Sequence, residues 1–519
     1  MPDQSTSSMM FDIPDAGGVN ESEKILSLLC QKSFLSLWSF SNLFTDEDLR
    51  DGRGSGKELC DVLAVFGDDV IIFSDKHIHF QHDKEVKVAW GRWYKRAVSG
   101  SISQLYGAMN WLKRFPRRAY LDAKCTRPLP VEIPAPERAR YHLIAVTRGT
   151  LQASKNFFNG RLGTPLIDTS VKGDDHFQHP FVVGLPSPTK HFVHVFDEVS
   201  LELIHEELDT IADLTAYLRA REELLTQRFE VVAAAGEEQL LAAYLMHMNG
   251  DEHAFLPENL HLSEQPSSVY FEDSFFERLK TDVGYLAKKK ADKISYSWDW
   301  LIEKFIRLGD PQLVRPDLER PPSDLEKGLR LIAGESRLRR RTLAHAIRDN
   351  FELSISRPSA RRVRLVANND ENEMLYVFLI SPINNEESYD AYRRRRAFEL
   401  EAYCRCAKLR FPKINVFVGM AFDHPAKMYG GSSEDLMVVQ IENLSQEEHD
   451  YLEKVRAGLG ILNSDMTMQH FHASEYPYPT IRTHERTAGH QVGSKGKTMK
   501  SEAKRRRMMA IKSRKRNRK

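Results

Sequence analysis

Gly56-Lys57-Glu58-Leu59-Cys60-Asp61-Val62-Leu63-Ala64-Val65-Phe66-Gly67-Asp68-Asp69-Val70-Ile71-Ile72-Phe73-Ser74-Asp75-Lys76 reads as two apolar, β-branched runs joined by a polar turn. The runs are Asp61–Phe66 and Val70–Phe73, and Gly67-Asp68-Asp69 between them is the signal of a β-hairpin. Folding the runs about residue 68 sets position 61 across from position 75. Asp61 at the mouth of the first strand then meets Asp75-Lys76 at the end of the second, with Glu58 just upstream. Two or three carboxylates and one lysine at the end of a buried hairpin are the composition of a metal-dependent, phosphodiester-cleaving site.

On these residues the hairpin resembles the core of the PD-(D/E)XK, or restriction-endonuclease-like, nuclease superfamily. Asp61 matches the acid that begins one strand and Lys76 the lysine that closes the next. The resemblance covers roughly residues 31–150. It implies an α/β core and a Mg²⁺ (or Mn²⁺) ion, with Glu58 and Asp61 as metal ligands and Asp75 as a substitute. Lys76 is then the group that supports the attacking water. The helix carrying Gln104-Leu105-Tyr106 is similar to the helix that follows the hairpin in many relatives, which makes Gln104 a substrate-contact candidate. One position departs from the pattern. The superfamily acid two residues before the lysine is Ser74 here, and alternation along a strand points Asp75 away from Lys76 unless a bulge re-aims it. Three outcomes follow: Glu58 supplies the second carboxylate, Asp75 enters through a bulge, or the site is dead.

The chain has 519 residues, too many for one ordinary core, and two to four domains are expected. No apolar run is long enough to span a bilayer, and Met1–Cys30 lacks the basic start and apolar centre of a secretory signal. Cys30, Cys60, Cys125, Cys404 and Cys406 contain no CxxC, which argues against a disulfide framework or structural zinc and for a cytoplasmic location. The net charge of +1 hides an asymmetry. Residues 495–519 hold thirteen Lys/Arg and one acid, Glu502, for +12, leaving 61 basic and 72 acidic residues, or −11, in residues 1–494. Such a tail contacts a phosphate backbone through counterion release, so nucleic acid, DNA or RNA, is the expected partner, with no membrane.

The expected fold is multi-domain, α/β and α+β. A disordered start at 1–22 precedes a nuclease-like α/β domain at 23–228 and a helical region at 229–355. A second small α/β unit at 356–464 opens with a hairpin, Val363–Ala367 and Leu375–Ile380, followed by the helix Glu386–Lys408. Residues 465–519 form a linker and the disordered basic tail. Trp90–Arg96 mixes aromatics with Arg92 and Arg96 close to the hairpin, a second place for substrate contacts. His77, His79 and His82 have no acid or cysteine at ligand spacing and read as structural. Arg393–Arg396 lies on a helix with Glu399 and Glu401 as partners and reads as a solvated face. The expected function is a Mg²⁺-dependent nuclease acting on DNA or RNA. The alternative is a non-catalytic nuclease-fold protein that binds nucleic acid or a protein partner as a scaffold.

Overall fold

The computed structural model describes residues 20–49, 54–160, 164–250, 252–257, 267–308, 322–367, 374–382, 384, 387–425, 433–463 and 473–476. The basic tail at 495–519 and nearly all of the expected disordered start at 1–22 lie outside the described residues.

Helix α1 (Glu21–Trp38) leads into β1 (Ser39–Thr45), β2 (Lys57–Phe66) and β3 (Asp69–His77). A helical run follows, α2 (Val86–Tyr94), a π-turn at Lys95–Ser99, and α3 (Gly100–Arg114). The chain then forms β4 (Arg140–Arg148), α4 (Leu151–Phe157), β5 (Leu166–Lys172), β6 (Val182–Leu185), β7 (Val193–Asp197), α5 (Glu198–Glu207) and α6 (Ile211–Glu223). β1, β2, β3, β4 and β7 make one sheet in that order. β2 runs antiparallel to β1 and β3, whereas β3, β4 and β7 are mutually parallel.

Strand alternation sorts the apolar residues onto two faces. Leu63, Val65, Val70, Ile72, Leu143 and Ala145 pack with Trp90, Leu105 and Leu112 of α2 and α3. Val62, Ala64, Ile71, Phe73, Ile144 and Val146 pack with Leu26 and Phe34 of α1 and with Leu201, Leu214 and Leu218 of α5 and α6. The central strands are therefore buried on both faces, which explains why the hairpin reads as near-continuous apolar runs rather than as alternating ones.

Next come β8 (Val231–Ala234), α7 (Glu237–Met246), β9 (Met248–Asn249), β10 (Glu252–His253), β11 (Ser268–Phe271), α8 (Phe275–Thr281), α9 (Val283–Ala291), α10 (Tyr296–Leu308), α11 (Pro322–Ala333) and α12 (Arg337–Ser356). This region reads as almost wholly helical in sequence, yet β8 and β11 join β5 and β6 in a four-stranded sheet ordered β11-β8-β5-β6. Four-residue apolar strands carry too few residues to reveal a period of two. The last unit is β12 (Arg362–Ala367), β13 (Met374–Ile380), α13 (Tyr389–Arg410), β14 (Val416–Phe422), β15 (Glu434–Gln440) and α14 (Gln446–Leu459). The expected second hairpin is present, with Arg362↔Ile380 to Ala367↔Leu375 paired antiparallel, and its turn at 368–373 is outside the described residues. Trp298, Leu329, Tyr376, Phe378 and Val418 belong to the same apolar cluster as Leu63 and Ile72, so one core runs from the main sheet to the last one. Among the described residues no helix is long and apolar enough to cross a membrane.

Candidate active site at the open end of the hairpin

The hairpin closes through the two-residue loop Gly67-Asp68, with Phe66 paired to Asp69 and the ladder running to Val62↔Phe73. Gly67 has φ of +61°, the left-handed conformation that a glycine at the first central position of such a turn accommodates. The shorter loop moves the register by one residue relative to a fold about residue 68. Continued outward, it sets Asp61 level with Ser74 rather than with Asp75.

The Asp61 carboxylate nevertheless reaches the next residue of β3: its Oδ2 accepts the Asp75 backbone N–H at 2.6 Å. The sheet is irregular on the β1 side of this point. Asn42, between the partners of Val62 and Cys60, has φ of +53°, and β2 bulges at Leu59, where Leu43↔Cys60 is followed by Phe44↔Glu58. An extra residue in one strand reverses the side-chain parity beyond it. Glu58, three residues from Asp61, is thereby brought within hydrogen-bonding reach of the Asp61 carboxyl.

Strand β3, by contrast, is regular, with Asp69↔Arg140 through His77↔Arg148 all in register. No bulge re-aims Asp75. Ser74 Oγ donates to Gln104 Oε1 at 3.0 Å and lies 3.2 Å from Ser101 Oγ, so this face of the strand meets α3. Lys76 lies on the same face, its aliphatic chain against Gly100 at the start of α3. Asp75 lies on the opposite face, with Ile71 and Phe73, and its side chain is fully buried. There the Arg148 guanidinium pairs with it, Nε lying 3.0 Å from Oδ1 and 3.1 Å from Oδ2.

The structure thus brings Asp61, Glu58 and Asp75 to one end of the hairpin and sets Lys76 and Gln104 on the α3 side. Gln104 is engaged by a serine of the fold. Arg92 and Arg96 are exposed on the helical run after the hairpin, and Arg92 donates to Gln81 Oε1 at 2.9 Å. Trp90, Trp93 and Tyr94 turn inward and are buried in the core, so the aromatic-basic run presents cations to solvent without aromatic faces beside them.

The electrostatics of the acids are unusual. Burial pushes the Asp61 carboxyl up to about 8, and the adjoining Glu58 carboxyl adds to the rise, against the pull of the Asp75 N–H. Asp75 is also raised by burial, with Arg148 working in the other direction. Glu23 at the start of α1 adds negative potential at both residues.

Glu23 and Arg148 are the neighbours that sequence reading did not single out. Arg148 ends the strand beginning at Arg140 and is level with His77 across the parallel pair. Its proximity to Asp75 depends on a pairing between strands more than sixty residues apart, for which the local pattern holds no signal. Glu23 falls in the helical run Glu23–Phe44, but only packing of α1 onto the sheet brings it near the acids.

Comparison of the sequence with family models and with curated proteins, and of the fold with solved structures, finds no match. Among the described residues no group of three or more His, Cys, Asp or Glu side chains is set closely enough to hold a metal ion.

Proposed function

We propose that the chain is a divalent-metal-dependent nuclease of the restriction-endonuclease-like class, with Asp61 and Glu58 as its first carboxylates and Asp75 as the third. The observation that carries this reading is the approach of the Asp61 carboxylate to the Asp75 backbone across β2 and β3, with Glu58 alongside. Support also comes from the sheet order β1-β2-β3-β4-β7 with only β2 reversed, and from α1 and the α2–α3 run on its two sides. A helix and further strands packed behind the hairpin are compatible with this reading.

The donor chemistry suits a hard divalent cation such as Mg²⁺ or Mn²⁺: all three side chains are carboxylates. Asp61 is a buried carboxyl beside the exposed Glu58 carboxyl, and a cation there would stabilise its charged form. A bound divalent ion polarises the scissile phosphate and lowers the pKa of water. Asp61 and Glu58 would provide oxygens for such an ion, and the Asp75 N–H holds the Asp61 carboxylate in its orientation. Lys76 is outside this set, because it extends along the other face of β3.

The pairing of Asp75 with Arg148 and the placement of Lys76 favour a second reading, a nuclease fold that binds nucleic acid without cutting it. One experiment separates the two. Purified protein with Mg²⁺ or Mn²⁺ is expected to cut labelled DNA or RNA, and Asp61→Ala is expected not to. Binding without cutting by the wild type selects the scaffold reading, and equal cutting by both proteins removes Asp61 from the site.

A further inference from the structure

Between Arg92 and Arg114 the solvent side of the α2–α3 run carries cations and small or polar residues and no acid. Residues 86–121 hold eight Lys/Arg and no Asp or Glu, whereas the rest of residues 1–494 holds 53 basic and 72 acidic residues, or −19. One side of the run, with Trp90, Trp93, Ile102, Leu105 and Leu112, is buried in the core. The other exposes Arg92, Lys95 and Arg96, then Ser103, Gly107 and Asn110, then Lys113 and Arg114. Steps of three, four or seven residues keep these groups on one face of a helix.

Two observations set this face apart from an ordinary solvated one. The other arginine clusters of the fold are neutralised: Arg340 and Arg341 of α12 pair with Asp299 and Asp292, and Arg395 and Arg396 of α13 with Glu387 and Asp435. Of the eight cations in residues 86–121, only Arg118 forms an ion pair among the described residues, with Asp46 at 2.8 Å. The second observation is Gly107, which is exposed in mid-helix, where a Cβ would meet nothing within 4 Å. A helix-interior glycine costs about 1 kcal/mol relative to alanine, and no packing requires it here. Its missing side chain leaves room for a group that approaches from outside.

We propose that this face docks the phosphate backbone of a nucleic-acid duplex. Arg92, Lys95 and Arg96 hold one stretch of backbone, Lys113 and Arg114 hold a second, and Gly107 lets it approach the helix between them. From Lys95 to Lys113 the helix axis advances about 27 Å, and a duplex carries one phosphate charge per about 1.7 Å of its axis, so both groups meet phosphates. Charge selects the partner, because the face has no carboxylate to repel a polyanion and the rest of the body is acidic. A duplex is favoured over a single strand, because Trp90, Trp93 and Tyr94 are buried and the Phe115 ring is covered by Arg114 and Arg118, leaving no such platform for an unpaired base. The proposal rests on the nucleic-acid partner common to both readings above and names where it sits. The surface anchors the duplex and carries no chemistry.

The test uses the full-length chain without divalent ion and a labelled DNA duplex of about 20 base pairs, longer than the helical run of roughly 43 Å. Affinity is read by fluorescence anisotropy between about 50 and 200 mM salt. The first variant combines Lys95→Gln, Arg96→Gln, Lys113→Gln and Arg114→Gln. A control of equal net charge combines Lys280→Gln, Lys290→Gln, Lys293→Gln and Arg394→Gln, four exposed cations on other elements. The first variant is expected to bind at least about tenfold more weakly at about 100 mM salt, with a log–log salt slope lower by about 3 to 4, or about 0.9 per lost contact. The control should stay within about threefold of wild type, with its slope unchanged. Gly107→Gln should raise the urea midpoint through helix propensity and still weaken duplex binding, a pairing that a merely solvated face does not produce. Equal weakening in the first variant and the control reduces the effect to net charge and overturns the proposal. Wild-type binding by the first variant or by Gly107→Gln also overturns it, as does displacement of the duplex by polyglutamate as readily as by unlabelled duplex, which assigns the face to an acidic protein. If wild type binds no duplex, the nucleic-acid partner itself fails. If wild type and all variants bind alike, that partner stands and only this surface is removed.

Discussion

Two carboxylates in this molecule are almost equally hidden and have opposite surroundings. Asp61 is 6% exposed and Glu475 is 9% exposed. Burial disfavours the charged form of each, but Lys288 and His253 hold Glu475 well below the ordinary carboxylate range. Lys288 Nζ is 2.9 Å from its Oε1 and 2.7 Å from Asp292 Oδ2, and Arg341 closes the network on Asp292 at 2.8 Å. Asp61 has another carboxyl as its side-chain neighbour and rises to about 8. Glu475 is supplied with cations by the fold. Asp61 is not, and perturbed groups of that kind concentrate where chemistry is done.

The largest effect expected from this contrast is on cleavage. Removing the Asp61 carboxylate with Asp61→Ala should reduce cleavage at least about 1,000-fold, because metal-held charge stabilisation is worth several kcal/mol and each 1.36 kcal/mol is a factor of ten. Glu475→Gln in the same assay should cut at the wild-type rate. A loss of cutting in both variants would erase the distinction between the two sites.

Stability should show the reverse pattern. Glu475→Gln breaks a buried ion pair and is expected to cost about 3 kcal/mol, at the low end of the usual range because Asp292 still faces Lys288. The urea midpoint at pH 7 measures this, and a shift no larger than that of a surface control would mean that residues 473–476 are not fastened to the body by this contact.

The two sites also divide in pH dependence. Glu475 has a depressed folded value, so its contribution is present above the unfolded carboxylate pKa of about 4.3 and is lost as pH falls through the folded value. Asp61 has a raised folded value. Its stabilisation is fully present below the unfolded pKa of about 3.9 and is lost as pH rises from there to about 8. Wild type should therefore lose stability relative to Asp61→Asn between pH 5 and pH 8, and millimolar Mg²⁺ or Mn²⁺ should restore it in wild type only. Parallel pH curves for the two proteins would show that Asp61 is not strained.

Sequence alone carried the hairpin, because β-branched runs around a glycine turn are a local signal, and it carried the last unit's hairpin and helix through other local signals, apolar runs around a polar turn and helical spacing. It carried the gathering of Glu58, Asp61 and Asp75 only in outline. The means were not legible: a bulge at Leu59 and a left-handed Asn42 bend the ladder, and neither has a composition cue. Lys76 lies against α3, on the face of a regular β3 opposite to Asp75, an alternation that Ser74 in the sequence already hinted at. Arg148, β8 and β11 depend on pairing between distant segments, where periodicity says nothing.

The smallest effect tests the two faces of β3 against each other. Ser74→Ala removes a buried hydroxyl that donates to Gln104 Oε1 and reaches Ser101. A neutral hydrogen bond of this kind is worth about 1 kcal/mol net, and the Gln104 carbonyl left behind is half-buried and near solvent. The urea midpoint should therefore fall slightly and cleavage should not change, since Asp75 faces the other way and keeps its contact with Arg148. If instead Ser74→Ala slows cleavage by tenfold or more at undiminished stability, the α3 face takes part in the chemistry. Lys76 and Gln104 then return to the site, and the acid face loses its claim to be the whole of it.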